Sequence, residues 1–527
     1  MEGDTGEIAS TVVRAKVPLR SRIMRGVLFG GLRYVLIAPI PLLMTPLILH
    51  HIGPSGYGTW AIFLAINGLT TLADLGLVGT ISKFVADLHA RKDFFALGTL
   101  LNSGLVLFLA LDLIIAGVFW WMSPTLAVWL LHGIGSTTPE LTFLLRCFVW
   151  VIAANILSQL FSSVTVGLQR LDVANIVSTA NALLSALCGG ILLVRGWGLR
   201  GLVFGQAVSG LVTVVTYLIL VRRLLPQVVL NPLRFDLLRA KKLFEYSIRL
   251  YITQAAVVVH NQVEKVFLAM MVGVVPVGWY DIGSDLALKV RGLISVILSP
   301  ILPAASELNA LSDASRIEEL YFRSQKYLAV CSVPAVFYVI AISHRFIDLW
   351  LGPQMRAATL PLDVLLLANV FNLATGPGFL ISAGTGHLKP GIQSAMLGLV
   401  INIFLSLALI ARFGFTGAVV GTSVSLLLAS AYFMSMFHAH TGYSIGRVLR
   451  ESYFKPIVCS TLATLFLFGL RRTGDLSWVG LGGMGIAFGL CYCVAIFVSE
   501  FFDDYDWKMF ERVLSTIGVA RRVFRSA

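Results

Sequence analysis

Gly198-Leu-Arg-Gly201-Leu-Val203-Phe-Gly205-Gln-Ala-Val208-Ser209 returns 216 residues later as Gly414-Phe-Thr-Gly417-Ala-Val419-Val-Gly421-Thr-Ser-Val424-Ser425. The shared pattern is G-x-x-G-x-V-x-G-x-x-V-S. Just upstream, Gly167-Leu-Gln-Arg-Leu171 stands in the place that Gly384-Thr-Gly-His-Leu388 takes in the second copy. Small residues at this spacing let apolar helices approach closely, and short matches of that kind arise by chance. Agreement across the whole pattern, with a second match at the equivalent place, reads as an internal duplication. An even number of apolar spans separates the copies. They therefore share one orientation, which implies two parallel halves.

The spans follow from composition. Of 527 residues, 57% are hydrophobic and only 13% are charged, and the mean hydropathy is +0.85. A soluble chain of this length needs more charge to cover its surface, so lipid is the solvent for much of it. The apolar stretches are too long for barrel strands and lack their alternation. They fall at roughly 26–50, 57–82, 98–120, 141–166, 173–194, 200–221, 246–271, 277–304, 327–347, 360–384, 391–411, 415–437, 454–470 and 477–499. The expected fold class is an all-α polytopic membrane protein of about fourteen transmembrane helices, with two parallel six-helix lobes and a C-terminal helix pair. The expected divisions are a basic N-tail (1–25), a first lobe (26–221), an amphipathic linker (222–245), a second lobe (246–437), the extra pair (438–499) and an amphipathic tail (500–527).

The formal net charge of +13 would point to nucleic acid in a soluble protein. Here its distribution explains it. With the N-terminus inside, inner segments hold 27 of the 40 Lys and Arg residues, outer loops 7 and spans 6. That asymmetry places both termini in the cytoplasm of a bacterial inner membrane protein and needs no nucleic-acid partner. The N-terminal segment carries Arg14, Lys16, Arg20, Arg22 and Arg25 and lacks a cleavage site, so the first span should remain. The six cysteines form no metal-like pair, and no metal or other cofactor is expected.

Several segments resemble the Wzx-type polysaccharide-unit flippases of the multidrug/oligosaccharidyl-lipid/polysaccharide exporter superfamily. They are Gly53-Pro-Ser-Gly-Tyr57-Gly-Thr-Trp60 with Ala73-Asp74-Leu-Gly76, then Val277-Gly-Trp-Tyr280-Asp-Ile-Gly with Pro300 to Ala310, then Leu349-Trp-Leu-Gly-Pro353, and the Gly414–Ser425 repeat. The resemblance implies two six-helix lobes around a cavity. It also implies outward movement of an undecaprenyl-pyrophosphate-linked oligosaccharide for lipopolysaccharide or exopolysaccharide synthesis. Its implied partners are that polyprenyl-linked glycan, a coupling H⁺ or Na⁺, and the glycan polymerase and other assembly proteins. The likeness to lipid II flippases is weaker, because the second span here holds no Arg or Lys before Lys83.

Ionised groups deep in lipid cost at least about 2.5–3.5 kcal/mol each and need a reason. The seventh and eighth spans hold most of them. Asp281, Asp285 and Lys289 stand at i, i+4 and i+8, on one helical face. Arg249, His260, Glu264 and Lys265 crowd the seventh span. Arg33, Arg249, Lys289 and Arg291 are candidates to hold a pyrophosphate, since Arg presents a fork of donors and Lys a compact charge, and Lys265 is a further candidate for binding the substrate. Arg249 lies near the inner edge and Arg291 off the Asp281 stripe, so Arg33 and Lys289 lead. The alternative for each is snorkelling or pairing with a carboxylate. Asn155 and Gln159 offer amides to sugar hydroxyls or to a neighbouring helix. Glu264, Asp281, Asp285, Asp74 and Asp112 are candidates for ion coupling, with helix pairing as the competing use. His260 has no matched ligand set and reads as a satisfied polar residue.

Two other readings compete. A cation-coupled multidrug exporter of the same superfamily should line its cavity with acidic or aromatic groups, and here cations are as prominent. A membrane glycan polymerase or ligase would need a catalytic domain. Asp503-Asp504-Tyr-Asp506 offers carboxylates without one and reads as the acidic start of the tail helix. No G-x-x-x-x-G-K-[ST] loop occurs, so the chain reads as a transporter rather than an enzyme.

Overall fold

The computed structural model describes residues 39–130, 138–228, 236–470 and 477–508, with residues 37 and 231. The N-tail expected at 1–25 and the tail beyond Lys508 lie outside the described residues. All regular structure among the described residues is helical. The helices are α1 Pro39–Thr70, α2 Leu77–Ala90, α3 Phe94–Leu130, α4 Thr138–Gly167, α5 Leu171–Leu192, α6 Gly198–Leu224, α7 Leu237–Met271, α8 Val274–Ser295, α9 Ile301–Ala310, α10 Ala314–Leu351, α11 Thr359–Ala374, α12 Gly376–Gly384, α13 Lys389–Phe413, α14 Phe415–Thr441, α15 Ile445–Val448, α16 Phe454–Leu470 and α17 Trp478–Val498.

Ten stretches among the described residues are long and apolar enough to cross a membrane, one of them, Leu171–Leu224, containing both α5 and α6. Exposed side chains such as Trp121 (82%) and Val479 (85%) lie in these apolar stretches and suit contact with lipid. α7 is not among the ten, because its polar side chains lower its hydropathy. That polar helix supplies four of the residues that line the site described below.

Glycine and proline divide several spans. The first and second are joined in α1 through a kink at Gly53 (φ 68°, ψ −179°). The second is then broken by Leu75 and Gly76 in left-handed conformation. Past α8 the chain passes through a tight turn and Pro300 into α9, and Gly376-Pro377 separates α11 from α12.

The chain divides into two compact units, Met1–Val258 and Val259–Ala527, and the division falls inside α7. The segment 222–245 contains the end of α6, a connection and the first turns of α7. In the second unit, Cys459, Ala463 and Leu467 of α16 pack with Phe488, Tyr492 and Ile496 of α17, and Val330 and Phe337 of α10 lie against them.

The repeat marks a helical hairpin in each unit, α5–α6 and α13–α14, and these are the two most extensive helix pairings described. Gly198 (φ 55°, ψ −136°) and Gly414 (φ 58°, ψ −130°) adopt the same left-handed turn, which a residue bearing Cβ would strain. A Cβ on Gly205 would strike the backbone of Gly189, and one on Gly421 would lie 3.0 Å from the Ser406 Cα. Gly201 and Gly417 face Leu192 and Leu409 in the same way. The opposed positions lie one residue further back in the first hairpin, where a π-turn at Leu193–Trp197 takes up the extra residue.

These contacts give a stability test. Gly205→Val and Gly421→Val should each cost about 1–3 kcal/mol, seen as a lower unfolding temperature of the detergent-purified chain. Gly489→Ala, where a Cβ meets no atom within 4 Å, should leave that temperature unchanged or raise it. Equal melting of all three would remove the close approach as the hairpins' constraint.

Candidate functional site

Within the second unit, α7, α8, α11 and α14 enclose a cavity of about 160 Å³. Gly273 (φ 119°) turns α7 into α8. Gly283 brings α8 against the start of α11, where a Cβ would meet the Ala358 carbonyl at 2.5 Å. The polar face of α7 supplies His260, Asn261, Gln262 and Lys265, and α8 supplies Tyr280, Ser284, Asp285 and Arg291. α11 contributes Asn369 and α14 contributes Thr422.

Most of the charges here are already met. Lys265 Nζ donates to Asp281 Oδ1 at 2.6 Å, and the two side chains are only 11% and 8% exposed. Lys289 pairs with Asp285 one turn away on α8. Arg291 differs. Its Nη1 donates to Asn369 Oδ1 at 3.2 Å and its Nη2 to Asn372 Oδ1 at 2.6 Å. Among the described residues no carboxylate lies within ion-pair distance of it. Both amides are oriented from behind, since Asn369 donates to the Leu365 carbonyl and Asn372 to Ser430. With the two ion pairs cancelled, the cavity retains the charge of Arg291.

A second cluster lies beside α13 and α14. Glu264 is fully buried and accepts from Asn402 Nδ2, which also reaches Ser425 Oγ at 3.3 Å. Glu264 Oε2, Asn402 Oδ1 and Ser406 Oγ are buried with no hydrogen bond among the described residues. Tyr280 donates to Thr422 Oγ1 at 2.9 Å, because the Thr422 hydroxyl hydrogen is directed to the Ala418 carbonyl. Ser425 closes the second repeat copy, so the duplicated hairpin itself holds the partner of Glu264.

The remaining candidates lie elsewhere. Arg33 and the side chain of Arg249 lie outside the described residues. Asn155 donates to Asn67 Oδ1 at 2.8 Å, a helix-to-helix bond, and Gln159 is half-buried one turn further along α4. Asp74 Oδ1 accepts from the Gly76 N–H at 3.0 Å and fixes the turn that breaks the second span. Asp112 is buried in α3, with Oδ1 lacking a hydrogen bond among the described residues. Asn369, Asn372 and Asn402 carry no charge and belong to none of the motifs read from the sequence. The spacing of the first two, i and i+3 within an apolar stretch, was the available signal.

The family of polysaccharide biosynthesis proteins matches residues 23–309. A putative O-antigen transporter of Shigella flexneri is 22% identical over 385 residues, covering 72% of this chain and 88% of that protein. A probable low-salt glycan biosynthesis flippase of Haloferax volcanii is 21% identical over 48% of this chain and 52% of its own length. Among solved structures, a lipid II flippase in an inward closed conformation superposes with a TM-score of 0.74 at 14% identity, covering 90% of this chain and 98% of that one. An inward-facing multidrug resistance transporter of the MATE family gives a TM-score of 0.60 at 15% identity, covering 78% and 94%. At such identities the structural likeness establishes the fold and leaves the cargo open.

The buried ion pair predicts an asymmetry. Asp281→Asn should strip Lys265 of its counter-charge and cost about 3–5 kcal/mol, whereas the double replacement Lys265→Met with Asp281→Leu should cost far less. Thermal unfolding in detergent, compared across the single and double variants, measures the difference.

Proposed function

We propose, because the chain belongs to the family of polysaccharide biosynthesis proteins, that it carries an undecaprenyl-pyrophosphate-linked oligosaccharide from the cytoplasmic to the periplasmic leaflet by alternating access of its two repeated halves. The observation that carries this reading is Arg291, a charge set in a cavity between membrane-spanning helices with amide oxygens as its only described hydrogen-bond partners. A guanidinium stays charged, and an uncompensated buried charge is costly, so the site suits an anion. This disfavours a cationic drug as the cargo.

The size of the cavity narrows its role. Drug-sized ligands occupy roughly 300–1,000 Å³, and about 160 Å³ suits the phosphate end of the cargo rather than a whole glycan. Arg291 then holds phosphate oxygens, and Lys265 and Lys289 act as charges that exchange a carboxylate for the cargo as the halves rock. The polyprenyl tail stays in lipid, which spares its desolvation.

Charge also supplies drive. Moving two negative charges outward across roughly 150 mV, inside negative, releases about 7 kcal/mol. Glu264 is the place for a returning H⁺ or Na⁺. Its Oε2 is buried without a hydrogen bond among the described residues, and either ion supplies the missing partner.

Deletion of the gene should accumulate the lipid-linked oligosaccharide on the cytoplasmic leaflet. Arg291→Gln should reproduce that accumulation and slow flipping in vesicles by tenfold or more, on the order of the loss of one charged hydrogen-bond donor, with Arg291→Lys intermediate. Drug efflux with normal glycan export in the deletion strain would replace this reading with the multidrug one. Glu264→Gln should abolish the dependence of flipping on the pH or Na⁺ gradient. Native flipping that is already indifferent to both gradients and to potential would remove the coupling.

A further inference from the structure

A second and larger cavity, about 600 Å³, lies in the same unit where α10 and α16 begin and α17 ends, at one membrane face. Its wall is ionic, and its charges can be accounted for one by one. Arg447 holds Glu318 at 3.1 Å and Glu451 at 3.0 Å. Arg323 holds Glu319 at 2.7 Å and Asp503 at 3.4 Å. Behind the wall, fully buried Asp506 takes Lys326 at 2.5 Å and Tyr327 at 2.6 Å. Lys455 caps the end of α17 through the carbonyls of Ser499 and Glu500, at 2.6 and 3.0 Å. Arg450 is exposed and makes no ion pair among the described residues.

Cations and carboxylates are thus in balance once Asp506 is included. Partial burial alone would raise the Asp503 carboxyl, but the Asp506 N–H, Lys326 and Arg323 hold it below its ordinary value. Asp503 therefore remains ionised at neutral pH. Running into the membrane from this cavity, α16 exposes Phe454, Val458, Leu462 and Leu465 in a single stripe. A polar cavity of balanced charge at the head of an apolar stripe matches a molecule with a dipolar head and hydrocarbon tails.

We infer that this cavity holds the head group of a zwitterionic phospholipid, its phosphate against Arg450 and Lys455, its ammonium against Glu451 and Glu318, and its acyl chains along the α16 stripe. Basic cavities between helices at a membrane face recognise anionic head groups. Here the surplus positive charge that a net-anionic head group would need is absent. A free phosphate would leave the stripe unused. The site is independent of the cargo proposed above.

Native mass spectrometry of the full-length protein, released from nanodiscs of equal phosphatidylethanolamine and phosphatidylglycerol, tests it. Phosphatidylethanolamine should be retained preferentially. Arg450→Gln should lower that retention about tenfold, the scale of one lost charged hydrogen bond, with Arg450→Lys restoring most of it. Unfolding temperature should not change, since Arg450 makes no ion pair among the described residues. Glu451→Gln should turn the preference toward phosphatidylglycerol. Undiminished retention in Arg450→Gln, a native preference for phosphatidylglycerol, or displacement of the lipid by inorganic phosphate would each overturn the inference.

Discussion

A charge inside hydrocarbon has to find a partner, and the second unit is organised around how each of its charges does so. Lys265 and Asp281 hold each other across α7 and α8 at 2.6 Å, and Lys289 is answered by Asp285 on its own helix. Neither pair carries net charge, so each can sit in a low-dielectric region as long as its geometry is kept. Arg291 has amide oxygens in place of a carboxylate. Dipoles offset part of the cost of burying a cation and leave its full charge in place. The cavity beside it therefore keeps a positive charge that no described carboxylate of its wall offsets.

That arrangement needs rigid neighbours, and the duplicated hairpin supplies them. In α13–α14, glycines replace side chains where backbones meet, so Asn402 and Ser425 are brought into one cluster with Glu264. In α5–α6 the same glycines serve the same close packing, with a π-turn absorbing one added residue. The first unit uses its buried polar groups differently. Asp74 closes a turn and Asn155 meets Asn67 from another helix. The charges around the smaller cavity lie on the second unit's α7 and α8, and α11 meets them with two asparagines.

At the membrane face of the second unit, the acidic run beginning at Asp503 acts as a clasp. Asp503 and Asp506 cap each other's backbone N–H groups, at 3.0 and 3.1 Å. Asp506 then inserts between Lys326 and Tyr327 of α10, while Arg323 lies over the Tyr505 ring at 3.8 Å. The α16–α17 pair is held to α10 at this end by ionic contacts and within the membrane by apolar packing around Tyr492 and Phe337. An acidic helix start was legible in the run of carboxylates. Its burial was not, because the cations that hold it lie far back in the chain.

What the sequence determined by itself was whatever depends on local pattern. Apolar length gave the membrane helices and the glycine repeat gave two equivalent hairpins, since each follows from helix geometry within a few turns. It also located the polar helices α7 and α8. Which charge remained uncompensated was decided only by tertiary structure. Arg291 stood off the Asp281 stripe and ranked below Lys289 on spacing alone, yet Lys289 is neutralised one turn away and Arg291 is met by asparagines from α11. Pairing across helices depends on the rotation and depth of each helix against its neighbours. Residues distant along the chain set those quantities, and no spacing along a single helix encodes them.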